Sequence, residues 1–306
     1  MLGLLWRSGG GRRDCLAELI RVLIERRAHS KRELPMAESE TVQYEIEDQI
    51  AWVWFARPDK RNAMSPALNR RMIEVLDEIE FRDDVGVFVL GGKGESWSAG
   101  MDLREYFRET EAGGLGKIRQ SQRESYGWWR RLRWFNKPTI AMVNGWCFGG
   151  AFAPLFACDL AICSEEAKFG LSEVNWGIIP GGGVTKVVAD LLSFRDAMYL
   201  TLTGEVIDGR KAAAWRLVNE SVPADRLQAR VRELAGILLQ KNPATLKAAK
   251  DALRRVTEMT YDNAEDYLVR AQEALNYLDK TDGRKEGLRQ FIDDKTYKPG
   301  LGTYRR

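Results

Sequence analysis

Three stretches of small residues follow apolar runs with strand character, and this repetition most constrains the fold. They are "ESWSAGMDL" (95–103), "NGWCFGGAF" (144–152) and "GIIPGGG" (177–183). The second comes after "PTIAMV" and leads into "GGAFAPLFACD", which predicts a buried strand, a glycine turn and a short buried helix. One such junction would indicate only a tight turn. Several of them indicate an open α/β sheet, in which ligands bind at the strand ends.

The remaining sequence alternates predicted strands and helices and then becomes almost entirely helical. Residues 41–58 alternate apolar and polar side chains around a turn, which is typical of a β-hairpin. Ser65 precedes apolar residues at helical spacing, which predicts a helix over 65–81 with Ser65 as its N-cap. Further strands are predicted at 86–92 and 160–164. Further helices are predicted at 101–111, 117–135, 184–192, 194–202, 208–215, 224–240, 243–275 with a break near Met259, and 284–293.

This order of elements predicts an α/β fold with a helical C-terminal part. The predicted divisions are a disordered extension (1–38), an α/β core (39–230) and a helical region (231–306) that forms subunit contacts or a lid. Residues 1–35 carry a net charge of +4 and the remainder −1, so the body offers no basic surface for nucleic acid. No apolar run reaches the roughly 18 to 20 residues of a membrane span, so no membrane partner is expected.

The extension and the cysteines bear on location. The extension has the arginine-rich amphipathic character of a targeting segment, but its four acidic residues are unusual for one. A start at Met36 would be natural, so we expect an extension without a targeting role. Cys147, Cys158 and Cys163 lie in apolar runs, and no cysteine has metal-ligand spacing. This usage is typical of a reduced cytoplasmic protein and predicts no metal site.

The single histidine of the chain, His29, lies in the extension. Catalytic triads and metal sites that need a histidine in the body are therefore excluded. Proton transfer must use carboxylates, tyrosine, lysine, cysteine or water.

Two of the glycine junctions end where a predicted helix begins. The first N–H groups of a helix have no partner within the helix, and the helix dipole favours negative charge there. The backbone N–H groups of Met101 and Gly150 therefore have the positions needed to converge on one oxygen atom. That arrangement is an oxyanion hole.

The chain resembles the crotonase (enoyl-CoA hydratase/isomerase) superfamily over about residues 40–300. The resemblance rests on the order and spacing of "RPDKRNAMS", "SAGMDL", "KPTIAMVNGWCFGGAF", "DLAICSEEAKFGLSEVNWGIIPGGG" and "TGEVIDGRKAAAWRLVNESVP". Within the superfamily, "GMDLREYFRE", "NGWCFGGAF", "GLSEVNWGI" and "DDKTYKPGL" are most similar to the hydroxycinnamoyl-CoA (feruloyl-CoA) hydratase-lyases. The resemblance implies a fold of repeated ββα units. It also implies a lyase that converts feruloyl-, coumaroyl- or caffeoyl-CoA into an aromatic aldehyde, such as vanillin, and acetyl-CoA.

The resemblance further implies roles for individual residues. Glu173 matches the catalytic carboxylate, and the N–H groups of Met101 and Gly150 would bind the thioester oxygen. Tyr106 would face the ring end of the substrate, with Gly181 close by. The residues implied in coenzyme A binding are Lys60, Ala63, Ala99, Gly100, Met101, Asp102, Leu103, Arg104, Gly150, Ala151 and Phe152. Coenzyme A is part of the substrate, so no cofactor is expected, and homotrimers or dimers of trimers are usual in the family.

Ala153 stands three residues after Gly150, where two-carboxylate hydratases of the superfamily have a glutamate. Glu173 is then the one matching carboxylate, and it would have to activate water and later take a proton from the new hydroxyl. Trp176 and Ile178 are close to it in sequence, and apolar surroundings of this kind would raise its pKa to suit both roles. Taken alone, Glu173 would be a helix cap or a surface acid.

The ring end of the pocket departs from the lyase pattern. Most lyases of this type have serine at the position of Ala153 and a second ring-binding tyrosine at the position of Val269. Tyr267 is about 200° away around a helix and cannot replace that tyrosine. Three tryptophans of the predicted helix 117–135 are either a ring-binding wall or packing residues, and their spacing favours packing. They are Trp128, Trp129 and Trp134.

Three functions follow from these features. The main prediction is a hydratase-lyase acting on a hydroxycinnamoyl-CoA. The second is another crotonase activity, such as hydration or isomerisation of an aliphatic enoyl-CoA, which Val269 favours. The third is a non-catalytic binding or assembly protein, against which the presence of Glu173, Met101 and Gly150 counts.

Overall fold

A computed structural model describes residues 40–298 and 302–305 of the chain. All of these residues fall within one compact unit, Glu38–Arg306. The predicted extension, with His29, lies outside the described residues. The boundary predicted at residue 230 falls inside a helix, Leu227–Leu239, which packs against the main sheet.

Ten strands form two sheets in the described part of the chain. They are β1 (Val42–Glu47), β2 (Ile50–Phe55), β3 (Val87–Gly92), β4 (Ser96–Ser98), β5 (Thr139–Val143), β6 (Trp146–Phe148), β7 (Leu160–Ser164), β8 (Lys168–Gly170), β9 (Val206–Asp208) and β10 (Glu220–Val222). The larger sheet has the order β1-β2-β3-β5-β7-β10, and the smaller has the order β4-β6-β8-β9. The predicted β-hairpin is confirmed, since β1 and β2 pair antiparallel.

Three successive units each give one strand to each sheet. In β3–β4, β5–β6 and β7–β8 the longer first strand joins the larger sheet, and the three-residue second strand joins the smaller one. The strands from successive units run parallel in both sheets. The predicted α/β fold of repeated ββα units is therefore confirmed. Strands β4 and β6 lie within two of the glycine junctions and β8 precedes the third, and none is predicted from the sequence because three residues are too few to show alternation.

The α-helices follow the predicted order. They are α1 (Pro66–Ile79), α2 (Glu109–Ala112), α3 (Gly114–Arg133), α4 (Phe152–Ala157), α5 (Val184–Leu191), α6 (Phe194–Thr203), α7 (Gly209–Ala214), α8 (Leu227–Leu239), α9 (Pro243–Val256), α10 (Tyr261–Leu278) and α11 (Gly283–Ile292). The Ser65 hydroxyl accepts a hydrogen bond from the Leu68 N–H at 3.2 Å, which confirms the predicted N-cap. The predicted break near Met259 is the gap between α9 and α10. The predicted helix at 101–111 begins as a π-helix, Leu103–Arg108.

The larger sheet is buried on both faces. One face packs against α1, α3 and α4 in a cluster that includes Leu76, Phe88 and Trp128. The other face is covered by α8, whose Leu227, Val231 and Ala235 are buried against residues of β2, β3 and β5. No helix in the described ranges is both long enough and apolar enough to cross a membrane.

The three cysteines of the described residues are buried and unpaired, as the apolar runs predicted. Burial raises the pKa of the Cys158 and Cys163 thiols to about 12. These thiols are core residues with no thiolate character at neutral pH.

A buried cluster of charges joins α9 to the sheet. Asp159, just before β7, accepts hydrogen bonds from the Thr139 N–H at 2.8 Å and the Thr139 hydroxyl at 2.9 Å. The same carboxylate pairs with Lys250 at 2.8 Å and Arg254 at 2.9 Å, both on α9. The Lys250 side chain is only 7% exposed, so its charge depends on Asp159 for compensation.

We expect Asp159→Ala to destabilise the protein by about 3 kcal/mol, because two nearly buried cations lose their partner. Urea unfolding measures this change. Asp84→Ala is the matched control, since Asp84 pairs with Arg82 on an exposed surface and its loss should leave the midpoint almost unchanged. Equal midpoints for the two variants would contradict the assigned role of Asp159.

Candidate active site

The backbone at Met101 is held with its N–H group outside the sheet ladder. Met64 forms an isolated parallel bridge with Met101. In that bridge the Met64 N–H donates to the Gly100 carbonyl at 2.7 Å, and the Asp102 N–H donates to the Met64 carbonyl at 3.0 Å. In such a bridge the Met101 N–H points away from Met64, and no residue of the described chain accepts it. It is therefore available to an external acceptor.

The Gly149–Gly150 turn lies directly against this backbone. A Cβ atom on Gly100, where φ is +92°, would be 2.5 Å from the Phe148 carbonyl oxygen and 3.3 Å from the Gly150 nitrogen. A Cβ atom on Gly150 would be 3.5 Å from the Met101 nitrogen. Only glycine permits this approach. The structure thus places the backbone of Met101 next to that of Gly150, and the assignment of their N–H groups as oxyanion donors stays a prediction.

The Glu173 carboxylate lies at the same turn. Glu173 belongs to a short 3₁₀ helix, Ser172–Trp176, and a Cβ atom on Gly149 would be 2.8 Å from its Oε1. Its Oε2 is buried and has no hydrogen-bond partner among the described residues. Burial raises the pKa of the Glu173 carboxyl above its ordinary value. A carboxylate that has few partners and a raised pKa is suited to exchange protons.

Part of this burial comes from a distant segment of the chain. The Gly149 turn, which belongs to another ββα unit, lies against the carboxylate. Trp176 and Ile178, the apolar neighbours in sequence that were expected to raise the pKa, are 45% and 42% exposed. The raised pKa itself agrees with the expectation.

Ala153 is buried in the first turn of α4, close after the Gly149–Gly150 turn. Its methyl group brings no second proton carrier to the position where two-carboxylate hydratases have a glutamate. Glu173 therefore remains the matching carboxylate at this turn.

Arg57 was missed by the sequence analysis, although it connects several predicted binding residues. Its guanidinium is nearly buried and donates to the Ala63 carbonyl at 2.7 Å, to Asp102 at 3.1 Å and to Glu105 at 2.6 Å. Asp102 also caps the π-helix that begins after Met101. Arg57 thereby joins the predicted coenzyme A segment to the oxyanion segment. Its position at the start of "RPDKRNA" was the available signal, but an arginine after a strand resembles an ordinary surface charge.

The other residues predicted to bind coenzyme A differ in exposure. Lys60, Leu103 and Arg104 are exposed, whereas Ala63 and Ala99 are half-buried. Ala151 and Phe152 are fully buried, and the Phe152 ring packs edge-on against Phe169 at 6.4 Å. The side chains of these two residues belong to the core, so the prediction that they bind coenzyme A now concerns their backbone alone.

Helix α3 links Tyr106 to the loop that contains Gly181. Tyr106 is buried, and its hydroxyl lies 3.1 Å from the Ser125 hydroxyl on α3. Trp129 follows Ser125 by one helical turn and therefore lies on the same helix face. A Cβ atom on Gly182 would be 3.5 Å from the Trp129 ring. Tyr106, Ser125, Trp129 and the Gly181–Gly182 loop therefore form a row of largely buried contacts along α3, which we call the α3 wall.

The tryptophans predicted on this helix have different environments. Trp128 is fully buried and donates from Nε1 to the Asn69 side chain at 2.8 Å, which confirms packing. Trp129 belongs to the α3 wall, and its Nε1 is buried without a partner among the described residues. Trp134 contacts the guanidinium of Arg255, with 4.8 Å from its ring centroid to the arginine Cζ. Trp128 is therefore a packing residue, and Trp129 is still a candidate for the ring-binding wall.

Val269 lies on α10, where it is 56% exposed. Together with Tyr261 and Leu268 it lines an open cavity of about 520 Å³. The valine itself brings no hydroxyl group to this cavity, and the tyrosine that lines it is Tyr261.

Comparisons with known proteins give the family of this chain. The family model described as enoyl-CoA hydratase/isomerase matches residues 45–298. A hydroxycinnamoyl-CoA hydratase-lyase of Pseudomonas fluorescens is 54% identical over 87% of this chain and 97% of its own length. A 2,3-dehydroadipyl-CoA hydratase of Escherichia coli K12 is 31% identical over 78% and 91%. The crystal structure of an enoyl-CoA hydratase from Bacillus anthracis superposes with a TM-score of 0.75 at 26% identity, covering 83% of this chain and 96% of that one. This chain belongs to the enoyl-CoA hydratase/isomerase family.

Proposed function

We propose that this protein is a hydratase-lyase that converts a 4-hydroxycinnamoyl-CoA, such as feruloyl-, coumaroyl- or caffeoyl-CoA, into an aromatic aldehyde and acetyl-CoA. The observation that carries the proposal is the 54% identity to a hydroxycinnamoyl-CoA hydratase-lyase over 97% of that protein's length. The arrangement of Glu173 against the Gly149–Gly150 turn provides the chemistry. Vanillin is the aldehyde expected from feruloyl-CoA.

The first half of the reaction adds water across the acyl double bond. The Glu173 carboxylate takes a proton from water, and the resulting hydroxide oxygen bonds to the β-carbon. The electron pair of the double bond moves into the thioester as an enolate, whose oxygen accepts hydrogen bonds from the Met101 and Gly150 N–H groups. Two preset donors of this kind each contribute roughly 10²–10³-fold in rate. The protonated Glu173 then returns its proton to the α-carbon.

The second half breaks the bond between the α- and β-carbons. The Glu173 carboxylate takes the proton of the new β-hydroxyl, and the oxygen forms the carbonyl of the aldehyde. The bonding pair of the broken bond becomes the enolate of acetyl-CoA, which the same two N–H groups stabilise. Glu173 then gives that proton to the enolate carbon, which forms the methyl group of acetyl-CoA. Both halves use one base and one oxyanion hole, so the reaction needs no second carboxylate and no added cofactor.

The alternative within the family is hydration or isomerisation of an aliphatic enoyl-CoA. Val269 favours it, because a valine cannot hold a ring hydroxyl. The 31% identity to a 2,3-dehydroadipyl-CoA hydratase is consistent with it. A purely non-catalytic role is disfavoured, because Glu173 and the residues of both proposed N–H donors, Met101 and Gly150, are present.

The protein also has features suited to self-association. Several large apolar side chains are exposed on the loop after Glu173 and on α6, including Ile179 at 78%, Phe194 at 71% and Leu202 at 66%. Exposed apolar surface of this extent is typical of subunit interfaces. We propose that these residues contact other copies in a homotrimer or a dimer of trimers. The unpaired buried thiols favour a reducing compartment, for which we propose the cytoplasm.

Incubation with feruloyl-CoA tests the function. We expect vanillin and acetyl-CoA in equal amounts, and we expect Glu173→Gln to reduce their formation by roughly 10³-fold while coenzyme A thioesters still bind. Glu166→Gln is the matched control, because Glu166 is an exposed carboxylate on the preceding turn and should leave turnover unchanged. Hydration of a short aliphatic enoyl-CoA without any aldehyde from feruloyl-CoA would replace the proposal by its alternative.

Gly149→Ala should lower kcat by about 10²-fold, because an added methyl would lie 2.8 Å from Glu173 Oε1 and displace the carboxylate. The backbone there has φ of +49°, which adds strain for alanine. Gly116→Ala is the control, since a Cβ atom there meets no other atom within 4 Å. Steady-state kinetics measure this change. If both variants kept the full kcat, the contact between Gly149 and the Glu173 carboxylate would have no role in turnover.

The pH dependence follows from the raised pKa of Glu173. Activity requires the carboxylate, so kcat/KM should fall as pH decreases through a pKa above that of an ordinary glutamate. Burial favours the protonated form, so the ionised carboxylate destabilises the folded protein at pH values above the folded-state pKa. This cost shrinks as pH falls through the folded-state pKa and is absent below the unfolded-state pKa. Glu173→Gln should therefore be more stable than the natural protein at pH 8, with a difference that shrinks toward pH 5. Thermal unfolding at several pH values measures it, and a difference independent of pH would oppose the assignment.

A further inference from the structure

A short chain of hydrogen bonds fixes the direction of the Tyr106 hydroxyl. The Ser125 hydroxyl donates to the backbone carbonyls of Ser121 and Gln122 on its own helix, each at 3.1 Å. The Tyr106 oxygen lies 3.1 Å from the same serine oxygen. Serine has a single hydroxyl hydrogen, which those carbonyls receive. The hydrogen between the two side chains therefore comes from Tyr106.

The reverse arrangement would leave a buried donor without a partner. If Ser125 donated to Tyr106, the phenolic O–H of Tyr106 would need another acceptor, and the described residues provide none for it. A buried donor without an acceptor costs about 1–3 kcal/mol. Tyr106 is only 8% exposed, so water compensates little of this cost. Donation from Tyr106 to Ser125 is thus the satisfied state.

We propose that Ser125 is a positioning residue that makes Tyr106 an acceptor, and so selects substrates whose ring presents a hydrogen-bond donor at this wall. The inference rests on the proposed function, because it concerns the aromatic acyl group. With its one hydrogen committed to Ser125, the Tyr106 oxygen offers lone pairs alone. A ring hydroxyl donates to these lone pairs, whereas a ring methoxy group at the same position brings a second acceptor and forms no hydrogen bond.

The valine at position 269, where most lyases of this type have a tyrosine, makes ring recognition more dependent on Tyr106. A second tyrosine at that position would add a hydroxyl able to donate or accept, and ring recognition would not depend on one bond direction. With valine there, Tyr106 is the buried tyrosine of the α3 wall, whereas Tyr126, whose ring packs against Trp129, is 44% exposed. The preference for a donor over an acceptor should therefore depend on Ser125.

Binding of unreactive ligands tests the inference separately from turnover. The probes are the CoA thioesters of 3-(4-hydroxyphenyl)propionate and 3-(4-methoxyphenyl)propionate, which lack the double bond and cannot react. We expect the natural protein to bind the hydroxyl ligand roughly tenfold more tightly. In Ser125→Ala the Tyr106 hydroxyl is free to donate, so the ratio should fall by roughly three- to tenfold, chiefly through tighter binding of the methoxy ligand.

Two further variants distinguish positioning from a general structural effect. Ser121→Ala is the matched control, because Ser121 is a buried serine one turn earlier whose hydroxyl has no partner among the described residues. It should keep the natural ratio. In Tyr106→Phe, adding Ser125→Ala should change the ratio no further, since the serine acts through the tyrosine.

The outcomes are separable. Equal binding of both ligands by the natural protein, or an unchanged ratio in Ser125→Ala, would overturn the inference. A changed ratio in Ser121→Ala of the same size as in Ser125→Ala would also overturn it, because general loosening of α3 would then explain both. If feruloyl-CoA yields no aldehyde but the binding ratios behave as expected, the lyase proposal fails and the selection by Ser125 stands.

Discussion

The close approach of two strand ends is the constraint on which the site depends. β4 and β6 are parallel neighbours in the smaller sheet, so the chain leaves both at the same edge. The backbone at Gly100 then lies so close to Phe148 and Gly150 that a Cβ atom would be 2.5 Å from a carbonyl oxygen. This packing, and no reactive side chain, sets the backbone at Met101 beside that at Gly150. In the proposed reaction, fold topology and transition-state stabilisation come from this same packing.

The sequence predicted those parts of the fold that repeat or that have strong local signals. β7 was predicted with its observed ends, and the Ser65 cap and the break near Met259 follow from single residues. The second sheet was not predicted, because its three-residue strands have too little length for a periodic pattern. The Met101 and Gly150 N–H groups were singled out because glycines between a strand and a helix start leave backbone N–H groups without partners at the strand end, and their role as oxyanion donors stays a prediction.

Contacts between distant segments limited the prediction of the site. Glu173 was identified by its surrounding motif, and its raised pKa agrees with the expected apolar setting. The contact from the backbone at Gly149, which is 24 residues earlier in the chain, was not predicted. Arg57 shows the same limit, since its three acceptors lie up to 48 residues away. A short window of sequence shows neither the Gly149 contact of Glu173 nor the pairing of Arg57 with Asp102 and Glu105.

A single carboxylate can serve both halves of the proposed reaction only if it gains and loses a proton with similar ease. Burial without a neighbouring cation moves Glu173 in that direction, because desolvation raises its pKa and nothing in its described surroundings lowers it strongly. A second glutamate at the position of Ala153 would add a like charge and a competing proton carrier. In the proposed mechanism the alanine therefore leaves every proton transfer to Glu173, and a β-hydroxy intermediate bound beside it loses its hydroxyl proton to the same carboxylate as the carbon–carbon bond breaks.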